Sequence, residues 1–346
     1  MRRGWAAQRI ATRAVLLLLT GVSLYLLLPS LAAVFGTWRD LFELKPQWFA
    51  IALGFESLSF ASVWALQRIA LQAPSWFAIG MSQLSGNALG RMVPGGVAAA
   101  SALQYRMLVR AGVPPARVGS ALAATSALLL AGLVALPLLA LPAVIAGTPV
   151  ADRLLHALWL GGVVFVLMLG AGSASFAFDR PLELVGRAID WCLRLIRRPR
   201  SGPPLAAVLV GERNQIRRTL GGRWKMAVVA SVGKSLFDYL ALVATLYAVD
   251  AHPDPALVLL AYVAGSLLGM VPLTPGGLGF VEAGLTGTLV LAGVDAGAAA
   301  AATLAYRLVS FWLPLPAGGI AYWLFGRRLK PALPPAPSQR PPQPQA

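Results

Sequence analysis

The stretch VPLTPGGLGFVEAG, Val271 to Gly284, places two prolines, a glycine pair and a carboxylate in a part of the chain that is otherwise apolar. Pro275 has no amide donor, and Gly276 and Gly277 reach backbone angles closed to other residues. A helix entering this segment must break, and its freed backbone groups must be met by protein or water. Within a membrane that is tolerated only where the segment is buried or lines a cavity. The alternative is a kink of purely structural value.

The surroundings are those of a membrane protein. The 346 residues are 58% hydrophobic and 12% charged, with a mean hydropathy of +0.70, more apolar surface than one soluble core can bury. Runs such as 15–28, 120–146 and 154–178 reach or approach the roughly 20 residues of a crossing helix. They are continuous and rich in Leu and Ala, unlike the alternating segments of about 10 residues that build a barrel. The formal charge of +16 does not point to a nucleic acid, because the basic residues lie between apolar runs. They read as topology signals and lipid headgroup contacts. No small-residue cleavage site follows Leu28, so the basic start reads as the approach to a first transmembrane helix. The single Cys192 excludes an intramolecular disulfide.

Basic clusters lie at Arg2 to Arg13, at Arg106, Arg110 and Arg117, through Arg180 to Lys225, and at Arg327 to Lys330. The positive-inside rule places all four in the cytoplasm. The connections near Arg39 to Lys45, Thr148 to Asp152 and Asp250 to Asp254 then face outward. The expected fold is an all-α polytopic membrane protein of about six full transmembrane helices plus two broken, re-entrant hairpins in an inverted repeat. The spans fall at about 14–35, 47–70, 117–146, 154–178, 225–249 and 297–325, and the dips at about 76–110 and 256–293; the alternative for each dip is a pair of ordinary spans. Both termini are cytoplasmic, in the inner (cytoplasmic) cell membrane. The chain divides into residues 1–45, with the first span; a first membrane half, 46–178; a basic loop, 179–224; a second membrane half, 225–326; and a Pro-rich tail, 327–346, expected to be disordered. In the loop, Leu182, Val185, Ile189, Leu193 and Ile196 recur at helical spacing, with Arg187, Arg194, Arg197 and Arg198 on or near the other face. That is a helix for the headgroup layer, or else a plain linker.

The opening stretch has an echo. GNALGRMVPGG, residues 86–96, resembles GSLLGMVPLTPGG, residues 265–277, and RAGV at 110–113 resembles LAGV at 291–294. Pro94 and Pro275 are 181 residues apart, as are Gly112 and Gly293, while the Gly-x-x-x-Gly pairs are 179 apart, as a two-residue insertion requires. By the topology above, the first copy enters from the cytoplasm and the second from outside, the arrangement in which broken half-helices meet near the midplane of a transporter. Chance matching of Gly- and Ala-rich helices is the competing account. A half-helix N-terminus at the break suits an anionic headgroup.

Ionisable residues expected at membrane depth are Glu56, Arg91, Lys234, Asp238, Glu282 and Arg307. Each costs at least about 2.5 kcal/mol at a helix centre unless paired. Lys234 and Asp238, four apart, read as a pair that neutralises itself. Arg91 either joins the site or snorkels to the surface. Arg307 suits a lipid phosphate, with Glu282 balancing its charge in the empty site or taking up a proton; a static ion pair is the alternative. The candidate lipid-binding and translocation residues are therefore Arg91, Pro94, Gly95, Gly96, Pro275, Gly276, Gly277, Glu282 and Arg307. No catalytic residue, metal ligand or cofactor is expected. The Gly-Lys-Ser at 233–235 has Val228 where a phosphate loop needs Gly, and His156 and His252 lack companions at metal-ligand spacing.

PLTPGGLGFVEAGL followed by LAGV, with the earlier VPGGVAAASALQYRMLVRAGV, resembles the transmembrane flippase-like region of the lysylphosphatidylglycerol synthase family over about residues 80–325. The resemblance implies a lipid translocase fold with Glu282 as the motif carboxylate. Two departures stand out. The chain ends in a Pro-rich tail where bifunctional members continue into an aminoacyl-transferase domain, so lysyl transfer is not expected. In the first repeat, Val97 to Ala100 stand where a Gly-Glu often follows, leaving Glu282 without a counterpart. The expected function is transport of an anionic lipid, or a lipid-linked sugar, between leaflets, with membrane lipids as partners. The alternative is a non-transporting scaffold for a membrane or cytoplasmic synthase of envelope or glycolipid synthesis.

Overall fold

The computed structural model describes residues 45–72, 75–93, 96–139, 178–195, 221–269 and 275–328, with scattered positions between 170 and 214. Among these residues all regular structure is helical. The spans expected at about 14–35 and 154–178, and the Pro-rich tail, lie outside the described residues. Among the described residues, four stretches are long and apolar enough to cross a membrane: Pro46–Leu71, Pro115–Ala135, Gly221–Ala248 and Ala296–Arg328.

The first membrane half holds α1 (Pro46–Leu71), α2 (Trp76–Met92), α3 (Val97–Arg110) and α4 (Pro115–Ala135). The basic loop carries α5 (Arg180–Leu195), whose Leu184 and Val185 are exposed. The second half holds α6 (Trp224–Ala248), α7 (Pro255–Gly269), α8 (Phe280–Leu291), α9 (Ala296–Arg307) and α10 (Pro314–Arg328). Proline starts four of these helices because the first turn has no use for its missing amide. α2, α3, α7 and α8 have 17, 14, 15 and 12 residues, each below the roughly 20 that a crossing takes. They form two hairpins, α2 with α3 and α7 with α8.

The hairpins use the same contacts. A Cβ added at Gly86 would meet Gln104, and one at Gly90 would lie 3.0 Å from Ala100; at Gly265 and Gly269 the neighbours are Leu285 at 3.3 Å and Val281 at 3.2 Å. Partners in the second pair of contacts are thus those of the first, 181 residues on. Each Gly-x-x-x-Gly lets its hairpin close tightly. The turns that follow match too. Gly112 and Gly293 both have φ of 90°, and Val113 N to Leu108 O recurs as Val294 N to Leu289 O. Both are left-handed helix ends that glycine accommodates without strain.

α1 and α6, the first helices of the two halves, pack along their length and run antiparallel. Trp48 stacks on Tyr247, Phe55 on Phe237, Ser59 Oγ donates to Lys234 O, and Leu66 packs with Ala227. The α2–α3 hairpin opens at the end of the bundle where α1 finishes, and the α7–α8 hairpin at the end where α6 finishes. The first end is basic, with Arg68 over Trp76, Arg328 over Phe77, Arg327 over Trp323 and Lys225 over Trp224. Exposed Trp beside Lys and Arg is the pattern of a membrane–water boundary. The opposite end carries Asp250, Asp254 and Asp295, and an ion pair between Lys45 and Asp250 joins two connections that were both expected to face outward.

Candidate functional site

The second Pro-Gly-Gly is a single tight turn, Pro275–Gly277, between α7 and α8. Gly276 has φ of 59° and Gly277 of 72°. Space as well as angle requires glycine at 276, since a Cβ there would collide with the Phe311 ring and sit 3.1 Å from Arg91 O. Pro94 and Gly95 lie outside the described residues; Gly96 precedes α3, packed against Gly90 of its own hairpin.

Glu282 lies in the first turn of α8. Its Oε2 accepts from Gly279 N at 2.7 Å, meeting one of the open amides at that helix start. Its Oε1 accepts from Arg307 Nε, also at 2.7 Å. Arg307, the last residue of α9, has a side chain only 9% exposed, and its Nη2 donates to Gly276 O at 3.2 Å. The guanidinium thus ties the broken turn, the start of α8 and the end of α9 together.

Arg91 comes to the same place from the first half of the chain. Its side chain does not snorkel outward. Nη1 donates to Ser310 O at 2.5 Å, and its Cζ lies 5.1 Å from the centre of the Phe311 ring. Arg307 Cζ lies 4.2 Å from the same ring. Ser310 O is available for a local reason: Pro314, four residues on, has no amide to donate to it. The backbone answers with a π turn at Leu308–Trp312, where Leu313 N reaches Leu308 O. Such turns inside α-helices recur at functional sites.

Of the expected residues, Arg91, Gly276, Glu282 and Arg307 therefore converge, with Pro275 and Gly277 completing the turn. Sequence reasoning missed Phe311 and Ser310, for which Pro314 was the available signal. The cluster holds two guanidinium groups and one carboxylate, an excess of one positive charge around an aromatic ring.

A second polar cluster adjoins the first. Lys234 Nζ and Asp238 Oδ2 are 2.6 Å apart, the pair expected from their spacing. Asp238 also accepts from Tyr262 Oη at 3.0 Å and from Tyr306 Oη at 2.7 Å, so it is a hub rather than half of an isolated pair. Tyr306 is the neighbour of Arg307 and links the two clusters. Glu56 is buried on α1 facing Asp238.

A family model described as the lysylphosphatidylglycerol synthase TM region matches residues 6–318. A UPF0104 membrane protein of Methanothermobacter thermautotrophicus is 42% identical over 65 residues, 19% of this chain and 19% of that protein. A UPF0104 membrane protein of the same organism also aligns at 30% over 99 residues, 29% of this chain and 28% of that protein. One of Methanocaldococcus jannaschii is 39% identical over 66 residues, 19% of this chain and 28% of its own. The aligned stretches thus span less than a third of those relatives' length.

Proposed function

This chain belongs to the lysylphosphatidylglycerol synthase transmembrane-region family, and on that premise we propose that it moves an anionic lipid, or a phosphate-linked glycolipid, between membrane leaflets. The observation that carries the reading is the meeting of Arg91 and Arg307 on Phe311 at the broken Pro275–Gly277 turn. An excess cation buried there is costly unless an anion shares the site. Two guanidinium groups offer planar, paired donors for phosphate oxygens. α8 begins beside them and adds its positive end.

The two halves supply a means of alternating access. Their first helices run antiparallel, and their hairpins open at opposite ends of the bundle, which supports an inverted repeat with re-entrant hairpins meeting near the midplane. With the basic end in the cytoplasm, Arg187 and the C-terminal Arg327 and Arg328 face inward and Asp254 faces outward. We place the protein in the cell membrane with cytoplasmic termini, and give it no catalytic step of its own.

The test is lipid movement by purified protein in vesicles carrying fluorescent phosphatidylglycerol or phosphatidylcholine. The reading expects phosphatidylglycerol to flip faster, and Arg307→Gln to lose at least about tenfold in its affinity, the lower end for a hydrogen bond to a charged group. Equal rates for both lipids would remove the headgroup site. Absence of flipping for any lipid would favour a scaffold that holds a synthase partner.

A further inference from the structure

Buried polar atoms that the protein itself does not satisfy gather around the headgroup site. Among the described residues, five buried side-chain atoms have no hydrogen-bond partner. Three of them, Glu56 Oε2, Asn87 Oδ1 and Thr303 Oγ1, belong to α1, α2 and α9; the others are Gln67 Oε1, farther along α1, and Thr125 Oγ1 on α4. Asn87 stands one turn before Arg91 and one turn after Gln83, which accepts from Trp64 of α1, so it faces between α1 and Arg91. Thr303, 1% exposed, stands one turn before Arg307 and three residues before Tyr306, on the stripe that both use. Glu56, 6% exposed, faces Asp238, Lys234 and Arg91. Each unmet atom is costly, and three around one site call for a common reason.

What these atoms lack is donors. Glu56 hydrogen-bonds Asp238, and a hydrogen bond between two carboxyl groups takes one proton held between them. Asp238 is already the acceptor for Lys234, Tyr262 and Tyr306, so Glu56 is the donor of the pair, a neutral acid. An acid that donates through one oxygen keeps the other as an acceptor. Asn87 Oδ1 is an acceptor too, and the Thr303 hydroxyl can accept. The oxygens of a phosphodiester ion only accept, so they suit the guanidinium groups and satisfy neither Glu56 nor Asn87. An O–H or N–H beyond the phosphate does. Charge chooses between the two: with a proton on Glu56, the cations Arg91, Arg307 and Lys234 face two anions, Glu282 and Asp238. A phosphodiester balances that excess of one, whereas an ammonium on the same headgroup would restore it at a cost within the membrane.

We infer that the headgroup bound between Arg91 and Arg307 carries hydroxyl groups beyond its phosphate, as a glycerol, inositol or sugar phosphodiester does, and that Glu56, with Asn87 and Thr303, recognises it by accepting hydrogen bonds from them. The inference rests on the proposed headgroup site and names the class of lipid it takes. Glu56 acts here as a neutral group. Glu56→Gln therefore keeps both halves of the role, an N–H for Asp238 and a carbonyl oxygen for the hydroxyl, while Glu56→Met keeps neither.

The experiment uses the full-length protein in detergent and two water-soluble short-chain lipids, phosphatidylglycerol and phosphatidylpropanol, which carry the same charge and differ only in the headgroup hydroxyls. Affinities are measured by calorimetry. Wild type should bind phosphatidylglycerol at least about tenfold more tightly, since the propanol lipid forgoes the hydrogen bonds and leaves buried acceptors unmet. Glu56→Gln should keep that ratio, Glu56→Met should bring it close to one, and Thr303→Val, which keeps the shape of the side chain, should lower it several-fold. Equal wild-type affinities, both weakened by Arg307→Gln, would overturn the hydroxyl reading and leave the phosphate site standing; this comparison holds even where Glu56→Met does not fold. A ratio lost in Glu56→Gln or kept in Glu56→Met would overturn the role of Glu56, and one unchanged in Thr303→Val the role of Thr303. Failure of wild type to bind either lipid, with Arg307→Gln indistinguishable from it, would overturn both the inference and the site beneath it.

Discussion

Gly276→Ala separates the backbone strain of the broken turn from its part in the site. An L residue held at a left-handed angle costs about 1 to 2 kcal/mol. Gly293, with φ of 90° and nothing within 4 Å of an added Cβ, is the control that carries strain alone. At Gly276, with φ of 59°, the same methyl group also collides with Phe311, the ring that both guanidinium groups touch. Phe311 must shift or the turn must open. Either movement weakens two cation–π contacts worth about 0.5 to 2 kcal/mol each, and thus reduces affinity by about five- to several hundred-fold if both are lost. Both variants should lose stability in thermal unfolding of the detergent-solubilised protein, Gly276→Ala more than Gly293→Ala because of the added collision. Gly293→Ala should flip phosphatidylglycerol normally per folded molecule, whereas Gly276→Ala should be slower by at least about tenfold and bind the lipid more weakly. Equal rates per folded molecule would refute the claim that the turn and Phe311 form the headgroup site.

Four further outcomes are expected. Glu282→Gln and Arg307→Gln should each lower stability by about 3 kcal/mol. The double variant should recover part of that loss without recovering flipping; full flipping would reduce the pair to a structural one. A peptide spanning α5 should bind anionic vesicles as a helix and release as salt rises, because the attraction is screened over about 8 to 10 Å; a peptide that stays unbound would make the segment a linker. Single cysteines at 187 and 254, in a chain lacking Cys192, should react with an impermeant thiol reagent in intact cells at 254 only, and labelling at 187 with none at 254 would overturn the inverted topology. A short thiol cross-linker between cysteines at 81 and 325, on α2 and α10, should stop flipping while leaving lipid binding intact, and unchanged flipping would show that these helices do not part.

The four long apolar stretches among the described residues and the breaks between the short helices were legible because each rests on local chemistry. Apolar runs near 20 residues and Pro-Gly-Gly do not depend on neighbours. α5 was legible for the same reason, since its spacing matches the helix at Arg180–Leu195. The matching offsets anticipated contacts that recur between Gly90 and Ala100 and between Gly269 and Val281. The composition of the site was only partly readable. Arg307 and Glu282 were singled out as charges at depth, but nothing local says that Arg91 reaches Ser310, 219 residues away. Nothing local marks Tyr262 and Tyr306 as polar partners, because their hydroxyls matter only once packing brings Asp238 between them. The Lys234–Asp238 pair was visible because helical spacing alone makes it.

Charge is distributed unequally over the two hairpins, whose glycine contacts correspond, and the helices that follow them, and physical cost explains why. At a shift of 181, the residues corresponding to Glu282 and Arg307 are Ser101 and Ser126. A symmetric site would double each buried ion and its desolvation cost without a second headgroup to bind. The second half instead supplies a nearly complete ion pair, and the first half supplies one cation, Arg91. That cation reaches the site through α2, which packs along α10, where Gly318 allows close approach and Ser85 Oγ donates to Gly318 O. Any motion that parts α2 from α10 must draw Arg91 away from Ser310 and Phe311. It leaves Arg307 balanced by Glu282 alone, a neutral pair with little hold on a phosphate. On the proposed function, closure would assemble the positive excess and opening would dissolve it, so that headgroup affinity would be set by whether α2 and α10 are together, and the cross-link between positions 81 and 325 tests that dependence directly.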